Sequence, residues 1–332
     1  MNAVLEAVAS TVVRTFPTAP NRGDLTVREA IDAYMAGYAG ADKSRASRMA
    51  WWQSVLGDVK LAELDSDQIA DVLDAFTTQP VRKYVGRDDQ GRRLYRDHHA
   101  RSPSTVTRYR TTLSAVLTWA KHKRLTPKGW RNPCHDVKGT PTVPGRVRYL
   151  SNDERTRLLA ATKISAWPKL YLLVLLAITT GARRGELLGL RYRDLDLPIE
   201  KDATGTATLP TTKNGDSRVL VLTPAVVAEI KRHGLGAADA LLFPGKFRRE
   251  QPYAITEAWS RALVNARIEN FKFHDLRHTH ASYLAQSGAS LLEIADSLGH
   301  RTMAMVKRYS HLSTASKARL IGRVLGGIGE AA

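Results

Sequence analysis

The sequence predicts a mainly α-helical α+β fold with a small antiparallel β-sheet, arranged as two domains. Three observations support this. Apolar residues recur at three- and four-residue spacing through most of the longer segments, bounded by N-cap residues and glycine stops. Three short β-like runs, "RYRDLDL", "GTATLP" and "SRVLVL", lie around the turn signal "KNGD". Residues 125–150, rich in proline, glycine and basic side chains and without periodicity, separate the periodic regions like an interdomain linker. At 332 residues the chain is long enough for each part to bury its own core.

After a tail spanning 1–24, a helical domain is expected over 25–124. Asp24 or Thr26 can cap "VREAIDAYMAGYA", where Val27, Ile31, Tyr34, Met35 and Tyr38 fall at helical spacing. "KSRASRMAWWQSVLG" stops at Gly57, and "DSDQIADVLDAF" opens at Asp65 or Ser66. A fourth helix over 103–123 carries Val106, Tyr109, Leu113, Val116, Leu117 and Ala120 as its apolar stripe. Between the third and fourth helices, a basic insertion at 81–101 holds two short apolar or aromatic stretches around "GRDDQG", the pattern of a basic hairpin or loop.

The second domain, 151–332, opens with the capping box "SNDE". A helix apolar on most faces follows at 167–180 and stops at Gly181, before "ARRGELLGL" starts a short one. After the three strand runs, helices are expected at 224–233, 253–267, 274–286, 291–298 and 302–311. An amphipathic tail over 316–325 presents Leu320, Ile321, Val324 and Leu325.

Fifty Lys and Arg against 32 Asp and Glu leave a formal charge of +18 on a chain that is 43% hydrophobic. A foldable protein with that excess points to a polyanionic partner, nucleic acid before a membrane surface. Cys134 is the only cysteine, which excludes an intrachain disulfide and a cysteine-based zinc cluster and fits a reducing cytoplasm. The longest apolar run, "LYLLVLLAI", is too short to span a bilayer and reads as a core helix.

Six residues stand out for their chemistry. His274 and Arg277 in "FHDLRHTHAS" are three apart, hence on one face near a helix start. Arg183 in "TTGARRGE" follows a glycine break, where free amides and a guanidinium suit a phosphate. Lys213 occupies the turn "TTKNGD", and "LGHRTMAMVKRYSHL" carries His300 and, nine positions later, Tyr309. Taken singly, each has an ordinary structural explanation as surface, cap or core. His274 and His278 also share the i, i+4 spacing of zinc helices, with His280 close by, but the glutamate that would follow the first histidine is missing and no nearby carboxylate completes a metal site.

Taken together, "TGARRGELLGL", "TKNGDSRVLVL", "HDLRHTHAS" and "LGHRTMAMVKRYSHL" resemble the tyrosine recombinases, also called phage integrases, in order and spacing across the whole second domain. The first domain and the linker ending in "NPCHDVKG" are similar to that family's SAM-like core-binding domain and its connection to the catalytic domain. The resemblance implies a site-specific recombinase, most simply the integrase of a prophage or mobile element, in a bacterial cytoplasm. Tyr309 would attack a scissile phosphate, joining the 3′ side and freeing a 5′ hydroxyl. Arg183 and Arg277 would hold the nonbridging oxygens, and Lys213 would protonate the departing oxygen. His274 and His300 would bond the phosphate or assist proton movement, and Glu186 would orient neighbouring side chains.

The resemblance implies no nucleotide cofactor, because one phosphodiester is exchanged for a phosphotyrosyl ester of similar energy, and no metal, because the constellation lacks the carboxylate cluster that would hold magnesium. Double-stranded DNA recombination sites are the implied partner, held by a self-assembled dimer on each site and a tetramer in synapsis. The Leu320 to Leu325 face could dock on a neighbouring protomer or on its own domain. The short tail leaves open the use of accessory DNA-bending or directionality factors. Candidate DNA contacts in the first domain are Lys43, Arg45, Arg48, Arg108 and Arg110. The alternatives are a chromosome-dimer resolving recombinase, a type IB topoisomerase-like enzyme, and a catalytically silent DNA-binding protein.

Overall fold

A computed structural model describes residues 24–87, 90, 92–98, 100–139, 147–209, 217–300 and 302–325. The expected tail before residue 24, Lys213 and residues 140–146 of the expected linker lie outside these residues. The chain divides into two compact units, Met1–Pro144 and Gly145–Ala332. The fold is mainly helical with a small antiparallel sheet, as its sequence pattern predicts.

In the first unit α1 (Val27–Ala36), α2 (Arg45–Leu56), α3 (Ser66–Thr78) and α4 (Pro103–His122) form the helical part. Of the two caps proposed for α1, Thr26 is the one used, exchanging hydrogen bonds with Glu29; Asp65 and Gln68 do the same for α3. Val27, Ile31, Leu73, Phe76, Leu113, Val116 and Leu117 meet around Trp52, which is fully buried. The Trp52 indole N–H donates to the Tyr109 carbonyl at 3.0 Å, so this large side chain leaves no donor unpaired in the core. The basic insertion forms an antiparallel hairpin, β1 (Val81–Arg87) and β2 (Arg93–His98), with a register shift between Tyr84 and Gly86.

Residues 125–139, expected as linker, pack onto this unit instead. Cys134 and Val137 are buried, the Trp130 indole donates to the Leu61 carbonyl at 2.9 Å, and Asn132 bonds Ser114 and Thr118 on α4. These four anchors lie on a segment interrupted by Pro127, Gly129 and Pro133, which is why the pattern resembles a linker.

The second unit is built around α6 (Leu170–Thr180), buried on nearly every side between α5 (Asn152–Lys163), α10 (Asp275–Ser287) and the strand Arg218–Leu222. Its helix starts three residues later than expected. Trp167 lies before it and stacks flat on Tyr253, with ring centroids 4.0 Å apart. After α7 (Arg184–Gly189), strands β3 (Leu195–Asp196), β4 (Gly205–Leu209) and β5 (Arg218–Leu222) pair antiparallel in that order. Their Ala207, Leu209, Leu220 and Leu222 face the core. Then come α8 (Pro224–Arg232), α9 (Thr256–Asn265), α10 and α11 (Leu291–Leu298). Among the described residues no helix is long and apolar enough to cross a membrane.

The expected helix at 302–311 is not α-helical. It forms two 3-10 segments, Met303–Met305 and Lys307–Ser313, before α12 (Thr314–Leu325). Val306 donates to Met303 and Tyr309 to Val306, both three residues back. Three residues per turn align Val306 and Tyr309 along one edge, and both are buried in the same apolar cluster. In α12, Ile321, Val324 and Leu325 are exposed.

The packing of the first unit predicts that Trp52→Phe will lower its stability by about 1–3 kcal/mol, through lost volume and a lost buried N–H donor. Urea unfolding followed by circular dichroism measures this; an unchanged midpoint would contradict the packing.

Candidate active site

Gly181 ends α6 in the left-handed conformation, φ 62°, and turns the chain into α7. A Cβ there would lie 2.6 Å from the His280 ring and 2.8 Å from Leu298, so glycine is needed for space as well as conformation. Arg183 follows as the N-cap residue of α7, rather than within its first turn as expected. Its backbone N–H and its guanidinium both donate to Glu186, at 2.8 and 2.6 Å. Glu186 also accepts from Arg218 at the start of β5, at 3.2 Å. Burial pushes the Glu186 carboxyl up, but the Arg183 hydrogen bonds and the charges of Arg183 and Arg218 together outweigh it and hold the group below the ordinary carboxylate range.

Arg277 is 4% exposed. One terminal nitrogen donates to the Gly181 carbonyl at 2.8 Å and the other to the Leu298 carbonyl at 2.7 Å. It therefore binds the C-terminal ends of α6 and α11, where helix dipoles favour a cation. Burial, followed by Arg183 and Arg218, lowers its pKa to about 10, with Glu186 and Tyr309 opposing the shift. Each terminal nitrogen keeps a second N–H for a ligand.

Three further candidates collect around this cation. His274 stands at the N-cap of α10, makes no side-chain cap bond, and is held below its ordinary pKa by burial and then by Arg277. Gly299 ends α11 at φ 62°, and His300 follows it with its backbone N–H on the Ala295 carbonyl. Burial, then Arg277 and Arg183, keep the His300 ring neutral with a pKa of about 4. Its buried Nδ1 has no hydrogen-bond partner among the described residues. Tyr309 is 1% exposed, and its phenol is pushed up by burial against the opposing pull of Arg308 and Arg277.

Arg183, His274, Arg277, His300, Tyr309 and Glu186 thus form one electrostatically coupled group. Lys213 lies outside the described residues; the strands on either side of its segment close at the Leu209 and Arg218 pair.

Sequence reasoning did not assign a role in the site to three residues, His278, Arg218 and His280. His278 bonds the phenol of Tyr309. Arg218 pairs with Glu186 and also donates to the Ser297 carbonyl at 3.0 Å. His280 uses both ring nitrogens, one on the Ile178 carbonyl and one on the Ser297 hydroxyl, which leaves it unable to join His274 and His278 around a metal. Among the described residues no cluster of metal-ligating side chains occurs. His278 could have been found from its i+4 spacing to His274, and Arg218 from its place at the head of "RVLVL".

The five basic candidates of the first unit differ in their surroundings. Arg48 is buried, paired with Asp42 and bonded to Thr112; Arg110 donates to the Cys134 and Val137 carbonyls. Arg45 bonds Tyr34 and lies over the Tyr38 ring, while Lys43 and Arg108 are exposed.

Glu186→Gln should destabilise the second unit by about 1–3 kcal/mol, because Arg183 and Arg218 lose a buried counter-charge. With a depressed folded pKa, Glu186 contributes its full stabilisation above the ordinary carboxylate range. That contribution is lost as pH falls through its own lower value. Acid unfolding of the wild type should therefore be steeper than that of Glu186→Gln; parallel curves would remove Glu186 from this role.

The sequence model of the Phage integrase family matches residues 148–316, just over half of the chain. A shufflon-specific DNA recombinase of Escherichia coli is 36% identical over 182 residues, covering 54% of this chain and 44% of its own length. The chain therefore spans less than half of that relative. The integrase of Salmonella phage P22 is 23% identical over 304 residues, 84% of this chain and 75% of the phage protein. Tyrosine recombinase XerC of Xanthomonas campestris pv. campestris is 27% identical over 277 residues, 79% of this chain and 74% of XerC. In fold, the chain is similar to the Tn1549 transposon integrase in complex with transposon right end DNA, with a TM-score of 0.66 at 16% identity over 89% of this chain and 99% of that one. It is likewise similar to a lambda integrase dimer bound to a core site, with a TM-score of 0.63 at 18% identity, covering 86% of this chain and 95% of that one. With the matched segment containing the Arg183, Arg277, His300 and Tyr309 group, the chain belongs to the phage integrase family of tyrosine recombinases.

Proposed function

We propose that this chain is a site-specific DNA recombinase, the integrase of a prophage or other mobile element in a bacterial cytoplasm. It cuts and rejoins DNA through a 3′-phosphotyrosyl intermediate at Tyr309. The observation that carries this reading is a buried phenol within electrostatic reach of Arg277, which is itself coupled to Arg183. A shufflon recombinase and a phage integrase among its relatives support the reaction class. The formal charge of +18 supports a DNA partner. The DNA-bound lambda integrase dimer supports self-assembly on the site.

In the first step Tyr309 attacks the phosphorus, and charge grows on the nonbridging oxygens. Arg183 and the free N–H groups of Arg277 neutralise that charge with donors that need no reorganisation. His300, whose Nδ1 has no hydrogen-bond partner among the described residues, supplies a further donor or acceptor at the phosphate, and the exposed His274 can add another. Lys213 protonates the departing 5′ oxygen. Glu186 keeps Arg183 and Arg218 fixed. The ester bond is conserved throughout, so resealing requires no ATP. Two protomers hold each site and four form the synaptic complex.

The test uses nicked duplexes tiled across the DNA that flanks the coding sequence, in EDTA and without nucleotide. Wild type should leave an SDS-resistant protein–DNA adduct and Tyr309→Phe none. Arg277→Lys should form adduct more slowly by roughly 10² to 10³. Tight binding by both proteins with no adduct from either would refute the catalytic reading in favour of an architectural DNA-binding protein.

A further inference from the structure

The phenol oxygen of Tyr309 has one hydrogen-bond partner among the described residues: Nδ1 of His278, at 2.5 Å. The contact joins two elements that meet at the site. His278 follows Arg277 directly on α10, one turn beyond His274, and its ring sits edge-on to the His274 ring at 5.4 Å. Tyr309 stands on the second 3-10 segment with its ring centroid 5.9 Å from that of His278. The phenol is the more acidic partner, so it donates and Nδ1 accepts, which leaves the imidazole proton on Nε2. A tyrosine attacking phosphorus must lose this proton, and His278 is the group already bonded to it.

We infer that His278 is a catalytic residue of this chain, the general base that takes the Tyr309 proton during cleavage and returns it during resealing. The inference rests on the assignment of Tyr309 as nucleophile. In cleavage the Tyr309 O–H bond breaks and its proton passes to Nδ1, the bond from the phenol oxygen to phosphorus forms, and the bond from phosphorus to O5′ breaks. O5′ takes its proton from a separate acid. In resealing the 5′ hydroxyl gives its proton back to that acid and attacks. The bond between phosphorus and the phenol oxygen then breaks, and the phenolate recovers its proton from the His278 imidazolium.

The groups facing His278 are His274, Asp275 and Arg277 on its own helix, with Arg308 and Tyr309 from the 3-10 segment. Burial first, then His274, hold the ring at about 4, so without DNA it is neutral and has a lone pair to accept with. Only Asp275 among these charges favours the imidazolium. A phosphate drawn in by Arg183 and Arg277 adds negative charge on the same side and raises the basicity of the ring. The base is therefore weak in the free protein and strengthened by the substrate it serves.

The experiment measures single-turnover adduct formation on the duplex that wild type traps, from neutral to alkaline pH. His278→Asn should slow cleavage by roughly 10² or more while DNA affinity stays level. Its rate should climb with pH more steeply than that of wild type, as solvent hydroxide replaces the lost base. Added imidazole should restore part of the rate of His278→Gly and none to Tyr309→Phe, a rescue that a misfolded protein would not show. A wild-type rate for His278→Asn, or a loss that neither pH nor imidazole changes, overturns the inference and leaves His278 a packing residue. Adduct from Tyr309→Phe would instead overturn the nucleophile assignment, and with it the base that depends on it.

Discussion

The second unit depends on one buried cation. Arg277 sits where solvent is excluded, and an isolated guanidinium there would be costly. Its cost is offset by two backbone carbonyls, Gly181 at the end of α6 and Leu298 at the end of α11, both in the negative region of a helix dipole. Three helices are thereby held in one relation: the core helix, the helix that carries Arg277, and the helix that delivers His300.

The neighbouring interactions are consistent with that arrangement. His280 bridges the Ile178 carbonyl and the Ser297 hydroxyl, joining the same two helix ends one turn further along the same face of α10. Arg218 repeats the link from the sheet, reaching Glu186 on one side and the Ser297 carbonyl on the other. Both helices end in left-handed glycines, and the volume a Cβ would need is already occupied by His280 beside Gly181 and by Arg218 beside Gly299. The site is a junction of helix ends sealed by side chains. Within it, Glu186 is shared as an ion-pair partner between Arg183 and Arg218.

Much of this was legible in the sequence, for physical reasons that differ between elements. The capping boxes at Thr26, Asp65 and Ser151 and the glycine stop at Gly181 are local, so spacing alone reveals them. The grouping of Arg183, His274, Arg277, His300 and Tyr309 came from a family resemblance, since no period links positions more than a hundred residues apart. What escaped was tertiary. The 3-10 geometry around Tyr309 depends on burying Val306 and Tyr309 along one edge, and a spacing of three is also compatible with an α-helix. Residues 125–139 hold to the first unit through single anchors such as Trp130 and Asn132, which no pattern flags. The hydrogen bond from Tyr309 to His278 could not be seen until the 3-10 segment was placed against α10.

The anchors of Arg277 are main-chain atoms. A carbonyl oxygen belongs to every residue type, so substitution at position 298 changes what packs there without removing the acceptor. The central cation is thus insulated from drift in the side chains that surround it. A chain built this way can change its outer surface while the geometry of the buried group stays fixed by atoms that mutation cannot delete. On the proposed recombinase reading, chemistry and address become separable properties of one fold, which is the condition for a single centre to be reused on many targets.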